Sequence, residues 1–310
     1  MLPWESNLFM KKRFFAFFFA ILLAGSLTGC KNNEIADGAV VCSAFPEYDF
    51  ARQICGDIAK VVMLLPCGSE AHDFEPTAKD IKTVAAASLF ICNGGESEAW
   101  VGRVLSSAGN ARSVSLIDCC TSPLYVDGED GMEQDEHIWT SPKNAMLMAG
   151  KIYNTLCEVF PDKKDVLEVN YDTLIAKLTD LDRVCTEMSD RMKGKTVIIG
   201  DRNPFGYLAR DYGIEMMAAF HGCGHDSEPS AKELAALIET ARANDVDTVF
   251  YVDFSGGKIA ETVASELQNA RTEQLFSCHN VTADDFMTKS YYDLMMQNIS
   301  KIVGAENATD

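Results

Sequence analysis

Short apolar runs alternate with amphipathic stretches along most of the chain. The segment AVVCSA at 39–44 predicts a short strand, and KVVMLLP at 60–66 is a continuous apolar run that stops at a proline, which is typical of a buried strand. The next segment, PTAKDIKTVAAASLFICNGG at 76–95, predicts a helix with a candidate N-cap in Thr77 and then a strand. This alternation predicts an α/β fold with mostly parallel sheets flanked by helices. The acidic, glycine-containing segment 122–137 is predicted to be a loop.

One region departs from this alternation, because between residues 141 and 193 only the segment FPDKK interrupts helical spacing. The simplest interpretation is two long helices. The second, over 164–193, would be roughly 43 Å long at 1.5 Å per residue. Strand–helix alternation then resumes and continues toward the C-terminus. We therefore predict two α/β lobes, over 38–163 and 194–310, joined by the helix at 164–193.

The N-terminus has the pattern of a secretory signal. Three basic residues precede an apolar run over 14–24, and small residues then lead to LTGC at 27–30. LTGC resembles the lipobox of bacterial lipoproteins, which predicts a signal peptide over 1–29 and a lipidated Cys30 at the start of a linker over 30–37. An uncleaved apolar anchor is the alternative. On either interpretation the remaining chain lies outside the cytoplasm, anchored to the cell membrane.

Charge and cysteine content narrow the classes of function. The chain carries a formal net charge of −19, from 46 acidic and 27 basic residues. Such an acidic protein is not expected to bind nucleic acid or to lie flat on anionic lipid, whereas a cationic cargo is compatible with it. The 11 cysteines include no C-x-x-C pair, so no zinc ribbon is indicated. We expect mostly free, buried thiols, with disulfides as the alternative in an oxidising compartment.

Two of the 5 histidines stand in distinctive segments, His72 before E-P-T in GSEAHDFEPT and His137 before a tryptophan in DEHIWTSPKNA. The combination of distinctive segments covers the mature chain, because it also includes GYLARDYGIE, SEPSAKELAALIE and SYYDLMMQN. With these segments the chain resembles the solute-binding lipoproteins of bacterial zinc and manganese ABC importers, of the ZnuA/TroA type. The resemblance implies two α/β lobes joined by a long backbone helix, with one divalent metal held by four side chains in the cleft between them.

The resemblance assigns the first two metal donors to His72 and His137. Both are predicted to follow strands of the first lobe, at the sheet edge where open α/β sheets bind ligands. The family's third donor is a histidine or glutamate three residues before the aromatic residue of a turn that reads GDRNPFGY here. Arg202 stands at that position, and a guanidinium cannot ligate a metal. Asp201 is the nearest donor and our expected third ligand, with a structural carboxylate paired with Arg202 as the alternative.

The fourth donor of the family is usually an aspartate at a fixed distance before the C-terminal helix, and His279 stands at that distance here. Two loop histidines, His221 and His225, are alternative donors because the usual third ligand is missing. Glu75 and Asp135 are candidates to accept the second ring N–H of a ligating histidine, a contact that fixes the ring.

This donor set combines three imidazoles with one carboxylate, which favours Zn²⁺ as the cargo over Mn²⁺, the alternative. The resemblance implies an extracytoplasmic binding protein, expected to be a monomer, that delivers the ion to a membrane permease served by a separate ATPase. No H-E-x-x-H, G-x-S-x-G or P-loop motif points to catalysis. The competing hypotheses of a different class are an extracytoplasmic zinc-dependent enzyme and an adhesin.

Overall fold

The structure is a computed structural model, and it describes residues 38–109, 111–128, 131–220 and 229–304. The predicted signal peptide, Cys30 and the linker at 30–37 therefore lie outside the described residues. The same is true of His221 and His225, the two alternative metal donors.

The first lobe is built on a four-stranded parallel sheet in the order β2-β1-β3-β4. Its strands are Val40–Cys42 (β1), Val61–Met63 (β2), Leu89–Cys92 (β3) and Ser113–Ser115 (β4). Its helices are Phe45–Cys55 (α1), Ala78–Ala85 (α2) and Val101–Ser107 (α3). Alternate residues of β1 pack into two different apolar clusters, Val40 into one and Val41 into the other. Both faces of the sheet are therefore covered at β1. The buried strand predicted at KVVMLLP is β2, which lies at the edge of the sheet and is only half-buried.

The predicted cap of α2 is confirmed. Thr77 Oγ1 accepts the Asp80 backbone N–H at 3.3 Å, and the Asp80 carboxylate accepts the Thr77 backbone N–H at 2.7 Å. This reciprocal capping box satisfies two N–H groups at the start of the helix. It also fixes the end of the loop that carries His72.

The prediction of a loop over 122–137 was wrong for most of that segment. Residues Tyr125–Gly128 (β5) and Gly131–Gln134 (β6) pair as an antiparallel hairpin, in the register Tyr125↔Gln134. The hairpin is separate from both parallel sheets, and Tyr125 and Met132 are 58% and 63% exposed. The described side chains of both strands are exposed or half-buried, and the segment lacks the apolar run by which the other strands were predicted. A short 3₁₀ helix over Ile138–Thr140 follows.

The two long helices are present, as Pro142–Val159 (α4) and Lys164–Arg191 (α5). Helix α5 has 28 residues and packs against α1 and α4 as well as against helices of the second lobe. Its buried residues follow helical spacing and are Leu167, Leu174, Leu178, Leu181, Cys185 and Met188. These residues belong to one apolar cluster that also contains Val40 of the first lobe and Val197 of the second.

The second lobe repeats the architecture of the first, with a parallel sheet in the order β10-β9-β7-β8. Its strands are Thr196–Ile199 (β7), Glu215–Ala218 (β8), Thr248–Val252 (β9) and Arg271–Leu275 (β10). Its helices are Gly206–Tyr212 (α6), Ala231–Ala243 (α7), Lys258–Ser265 (α8), Ala283–Thr288 (α9) and Tyr291–Gly304 (α10). The predicted α/β class, with two parallel sheets and a long helix between them, is confirmed.

Two further observations bear on the sequence-based expectations. Every cysteine in the described ranges is a free thiol, and most are buried. None of the helices within those ranges is both long and apolar enough to cross a membrane.

Candidate metal centre

Three histidines from separate loops converge between the two sheets. The imidazole ring of His279 lies 5.9 Å from that of His72 and 5.8 Å from that of His137, measured between ring centroids. His72 follows β2 and His279 follows β10, at the carboxyl ends of parallel strands where ligands of α/β sheets bind. His137 instead follows β6, so its predicted placement after a strand of the parallel sheet was wrong.

The three histidines line a cavity of about 40 Å³, together with Glu70, Arg202 and other residues of both lobes. A water molecule needs at least about 10–15 Å³ of such space. The cavity therefore has room for a metal ion with its donors drawn in, or for a few waters. Only 8% of the His72 side chain and 7% of the His137 side chain are exposed, so an ion held here would be largely shielded from solvent.

His137 is oriented by its neighbour Asp135. The Asp135 Oδ1 atom accepts both the His137 backbone N–H, at 3.0 Å, and the ring Nδ1–H, at 2.8 Å. Asp135 is itself held, since its backbone N–H donates to Leu124 and its carbonyl accepts from the Tyr207 hydroxyl. A carboxylate that takes the Nδ1 proton fixes the tautomer in which Nε2 carries the lone pair that binds a metal.

His279 is buried against the first lobe. Its ring lies 4.9 Å from that of Trp139, whose Nε1–H donates to the Ser277 carbonyl at 2.8 Å across the cleft. Burial, reinforced by electrostatic interaction with the basic groups of His137, His72 and Arg202, lowers the pKa of His279 well below its usual range. Its imidazole is therefore neutral at physiological pH, which is the form that coordinates metal.

Sequence reasoning missed a fourth donor-type side chain in the same place, that of Glu136. Its Oε1 atom lies 3.8 Å from His72 Nε2, and donor atoms of His72, Glu136 and His279 all lie within 4.8 Å of one another. Burial raises the pKa of Glu136. The signal was present, because Glu136 directly precedes His137, but the acidic segment around it was interpreted as a solvated loop.

The structure does not bring Asp201 to the histidines. Its Oδ1 atom accepts the Arg202 backbone N–H at 2.8 Å, and its Oδ2 atom accepts the Val252 backbone N–H at 3.1 Å. Among the described residues that line the cavity Asp201 does not occur, whereas Arg202 does. These contacts tie two strand ends of the second lobe together and do not support the donor role predicted for Asp201.

The Arg202 side chain crosses the cleft. Its Nη2 atom lies 3.2 Å from Glu70 Oε2 of the first lobe. The pairing of Arg202 with Asp201 considered as an alternative is thus limited to the backbone N–H of Arg202. Glu75, the other candidate to support a histidine, is exposed and is not among the described residues that line the cavity.

Comparison with known proteins agrees with this geometry. The family described as "Zinc-uptake complex component A periplasmic" matches residues 40–305. The chain belongs to this family. The zinc-uptake component A family is the one that the segments around His72 and His137 indicated, and it is a family of transport components.

Two relatives of the chain carry zinc in their names. The chain is 32% identical over 276 residues to the high-affinity zinc uptake system protein ZnuA of Bacillus subtilis, covering 85% of this chain and 86% of that protein. It is 30% identical over 299 residues to the zinc-binding lipoprotein AdcA of Streptococcus pneumoniae, covering 91% of this chain and 59% of the relative. The chain thus spans about three fifths of the pneumococcal protein's length.

The zinc-uptake component A family also includes solved structures. The Zn(II)-bound ZnuA-like domain of Streptococcus pneumoniae AdcA superposes with a TM-score of 0.72 at 28% identity, over 87% of this chain and 98% of that domain. The two-lobed fold is therefore shared with a structure that holds zinc.

Proposed function

We propose that the protein captures one Zn²⁺ ion between its lobes and delivers it to the membrane permease of an ABC importer, which a separate ATPase serves. The observation that carries this proposal is the convergence of His72, His137 and His279 on one small buried cavity. The zinc named in the ZnuA and AdcA relatives supports the same cargo. Lipidation of Cys30 would hold the protein at the outer face of the cell membrane.

The donor chemistry favours zinc over manganese. Neutral imidazole is a preferred ligand of Zn²⁺ in four-coordinate sites, whereas Mn²⁺ is better served by carboxylates, carbonyls and water. His279 stands where the family usually has an aspartate, so this chain offers a nitrogen donor in place of an oxygen. Asp135 fixes His137 in the tautomer that presents Nε2.

A binding role fits the cavity better than catalysis does. A catalytic zinc keeps one position open for water and substrate, and a cavity of about 40 Å³ has little space for a substrate beside an ion. The Trp139 ring packs 4.9 Å from that of His279, and its backbone is held because the Tyr291 hydroxyl donates to the Trp139 carbonyl. The arrangement suits the enclosure and later release of an ion.

Titration calorimetry on the metal-stripped mature protein tests the proposal. We expect one Zn²⁺ per protein and tighter binding of Zn²⁺ than of Mn²⁺. His137→Ala should weaken zinc binding by more than about 100-fold, since even partners that only orient a ligand cost 10–100-fold when removed. An absence of zinc binding by the wild-type protein, or tighter binding of Mn²⁺, would contradict the proposal.

A further inference from the structure

We infer that Glu136 supplies the fourth metal donor, through Oε1, in place of the second-lobe donor expected at Arg202 or Asp201. This inference rests on the proposed function and identifies a ligand that neither the family resemblance nor the sequence assigned. It changes which lobe holds the ion, because three of the four donors would then belong to the first lobe.

The described second-lobe residues nearest the expected donor position make other contacts, and Asp253, which lines the cavity, accepts the Ser277 backbone N–H through Oδ1. Zinc in sites without a catalytic role takes four ligands in tetrahedral geometry, and three are the histidines. Arg202 stands where the resemblance places a donor, and its guanidinium is directed at Glu70. Both oxygens of Asp201 accept backbone N–H groups.

Glu136 is fixed in position by several contacts. The Ser97 backbone N–H and hydroxyl both donate to Oε2, at 3.0 and 2.9 Å, and Asn93 Nδ2 donates to the Glu136 carbonyl at 2.9 Å. Gly95 packs so closely that a Cβ there would lie 2.5 Å from Glu136 Cβ and Oε2, and its φ is +108°. Only glycine accommodates both conditions. The local backbone is therefore built around this carboxylate.

These contacts engage Oε2 and the backbone carbonyl of Glu136 but leave Oε1 without a hydrogen-bond donor among the described residues. Glu136 is 2% exposed, and within the described part of the chain its Oε1 atom has no hydrogen-bond partner. A buried carboxylate oxygen without a partner is costly, because its hydration is lost and nothing replaces it. An ion bound by His72 and His279 would supply the missing partner.

The distances suit coordination by one ion. Ligand atoms around a tetrahedral zinc are about 3.4 Å apart when each bond is about 2.1 Å. The separation between Glu136 Oε1 and His72 Nε2 is 3.8 Å, and no pair among the donor atoms of His72, Glu136 and His279 exceeds 4.8 Å. Small side-chain shifts would therefore bring these donors to bonding distance, and Ser97 would keep Oε1 directed at the ion.

The experiment compares Glu136→Gln with Glu98→Gln by zinc titration calorimetry. Glu98 is a matched control because it is buried in the same lobe, also has one oxygen without a partner among the described residues, and is absent from the donor group. Glu136→Gln should weaken zinc binding by at least about 100-fold, the upper end of the loss caused by removing an outer partner. Glu98→Gln should remain within about threefold of the wild type.

The zinc-bound wild-type structure provides a second measurement that needs no variant. We expect Glu136 Oε1 at about 2.0–2.2 Å from the ion. An ion more than 3 Å from Oε1, or Glu136→Gln binding zinc as tightly as Glu98→Gln, would overturn the inference. In either case one-to-one zinc binding by the wild type would leave the proposed function standing, whereas its absence would remove both. Circular dichroism of the metal-free variants checks that each one folds.

Discussion

The two lobes share one architecture but treat the candidate site differently. The first lobe carries His72, His137 and the inferred donor Glu136, and it fixes Glu136 and His137 through Ser97 and Asp135 within the same lobe. The second lobe supplies His279. The comparison shows that two lobes with the same fold need not contribute equal numbers of donor side chains. The donors whose orientation is set in advance lie mostly on one side of the cleft.

Two charged residues of the second lobe near the site make other contacts. Asp201 ties β7 to β9 through backbone N–H groups, and Arg202 reaches across to Glu70. We interpret the first lobe as the part that recognises the ion and the second as the part that closes over it. The predictions below separate these roles.

Among variants of residues that do not themselves bind the ion, the largest expected effect concerns orientation in the first lobe. Asp135→Asn replaces the carboxylate that holds His137 with a neutral amide, whose NH₂ group can face the ring and favour the wrong tautomer. Zinc binding should weaken by about 10–100-fold, as is usual when the outer partner of a ligating histidine is lost. Titration calorimetry measures the loss, with Asp118→Asn as the control because Asp118 is exposed in the same lobe. Unchanged affinity would show that recognition does not depend on a fixed His137.

Whether an element of the fold could be predicted from the sequence depends on whether its residues form an apolar pattern. The buried strands β1 and β3 were predicted because both faces are covered and their residues form apolar runs. Helix α5 was predicted because its apolar residues keep helical spacing over 28 residues. The hairpin of β5 and β6 was missed because it is exposed and is not flanked by helices. The local pattern of apolar residues therefore predicted these buried elements and missed the exposed hairpin.

Residues of the site could be predicted from the sequence only where they stand in a distinctive local segment. His72 and His137 stand in distinctive segments, so both could be placed by resemblance. Glu136 could not, because its role depends on Ser97 and Gly95, which lie about forty residues away in the chain and meet it only in the fold. The same limit applies to Asp201, whose partner Val252 lies on another strand of the sheet.

A smaller effect is expected for closure of the second lobe. The Arg202–Glu70 pair joins the lobes, but the two side chains are 27% and 28% exposed, so solvent screens their attraction. Such a pair contributes up to about 1 kcal/mol, a factor of about five. Glu70→Gln should therefore speed zinc release to a chelator by about two- to fivefold, measured by stopped-flow. Glu75→Gln is the control, since Glu75 is exposed and does not line the cavity among the described residues.

A double variant tests whether that effect comes from the pair itself. Arg202→Gln added to Glu70→Gln should cause no further acceleration of release, because partners in one interaction are not additive. It should slow release somewhat, since a positive charge near the cation is removed. Equal release rates for the wild type and Glu70→Gln would show that the second lobe closes without this contact.

The smallest expected effect leaves zinc binding alone and concerns the stability of the metal-free protein. Each lobe buries a carboxyl group whose pKa is raised mainly by desolvation, Glu98 to about 8 in the first lobe and Asp253 to about 7 in the second. A raised pKa means that the folded state holds a proton that the unfolded state has lost. Stability therefore falls as pH rises, from about 4.5 to 8 for Glu98 and from about 3.8 to 7 for Asp253.

The two pH windows differ between pH 7 and 8. There the ionisation of Glu98 still lowers stability as pH rises, whereas Asp253 is already ionised. Glu98→Gln should therefore lessen the fall of the thermal midpoint between pH 7 and 8, while the fall below pH 7 that Asp253 causes should persist. Thermal unfolding of the metal-free protein across this range measures both, with Glu75→Gln as an exposed control. A wild-type midpoint that does not fall between pH 7 and 8 would show that Glu98 is already ionised there. The contrast between the lobes would then rest on the zinc titrations alone.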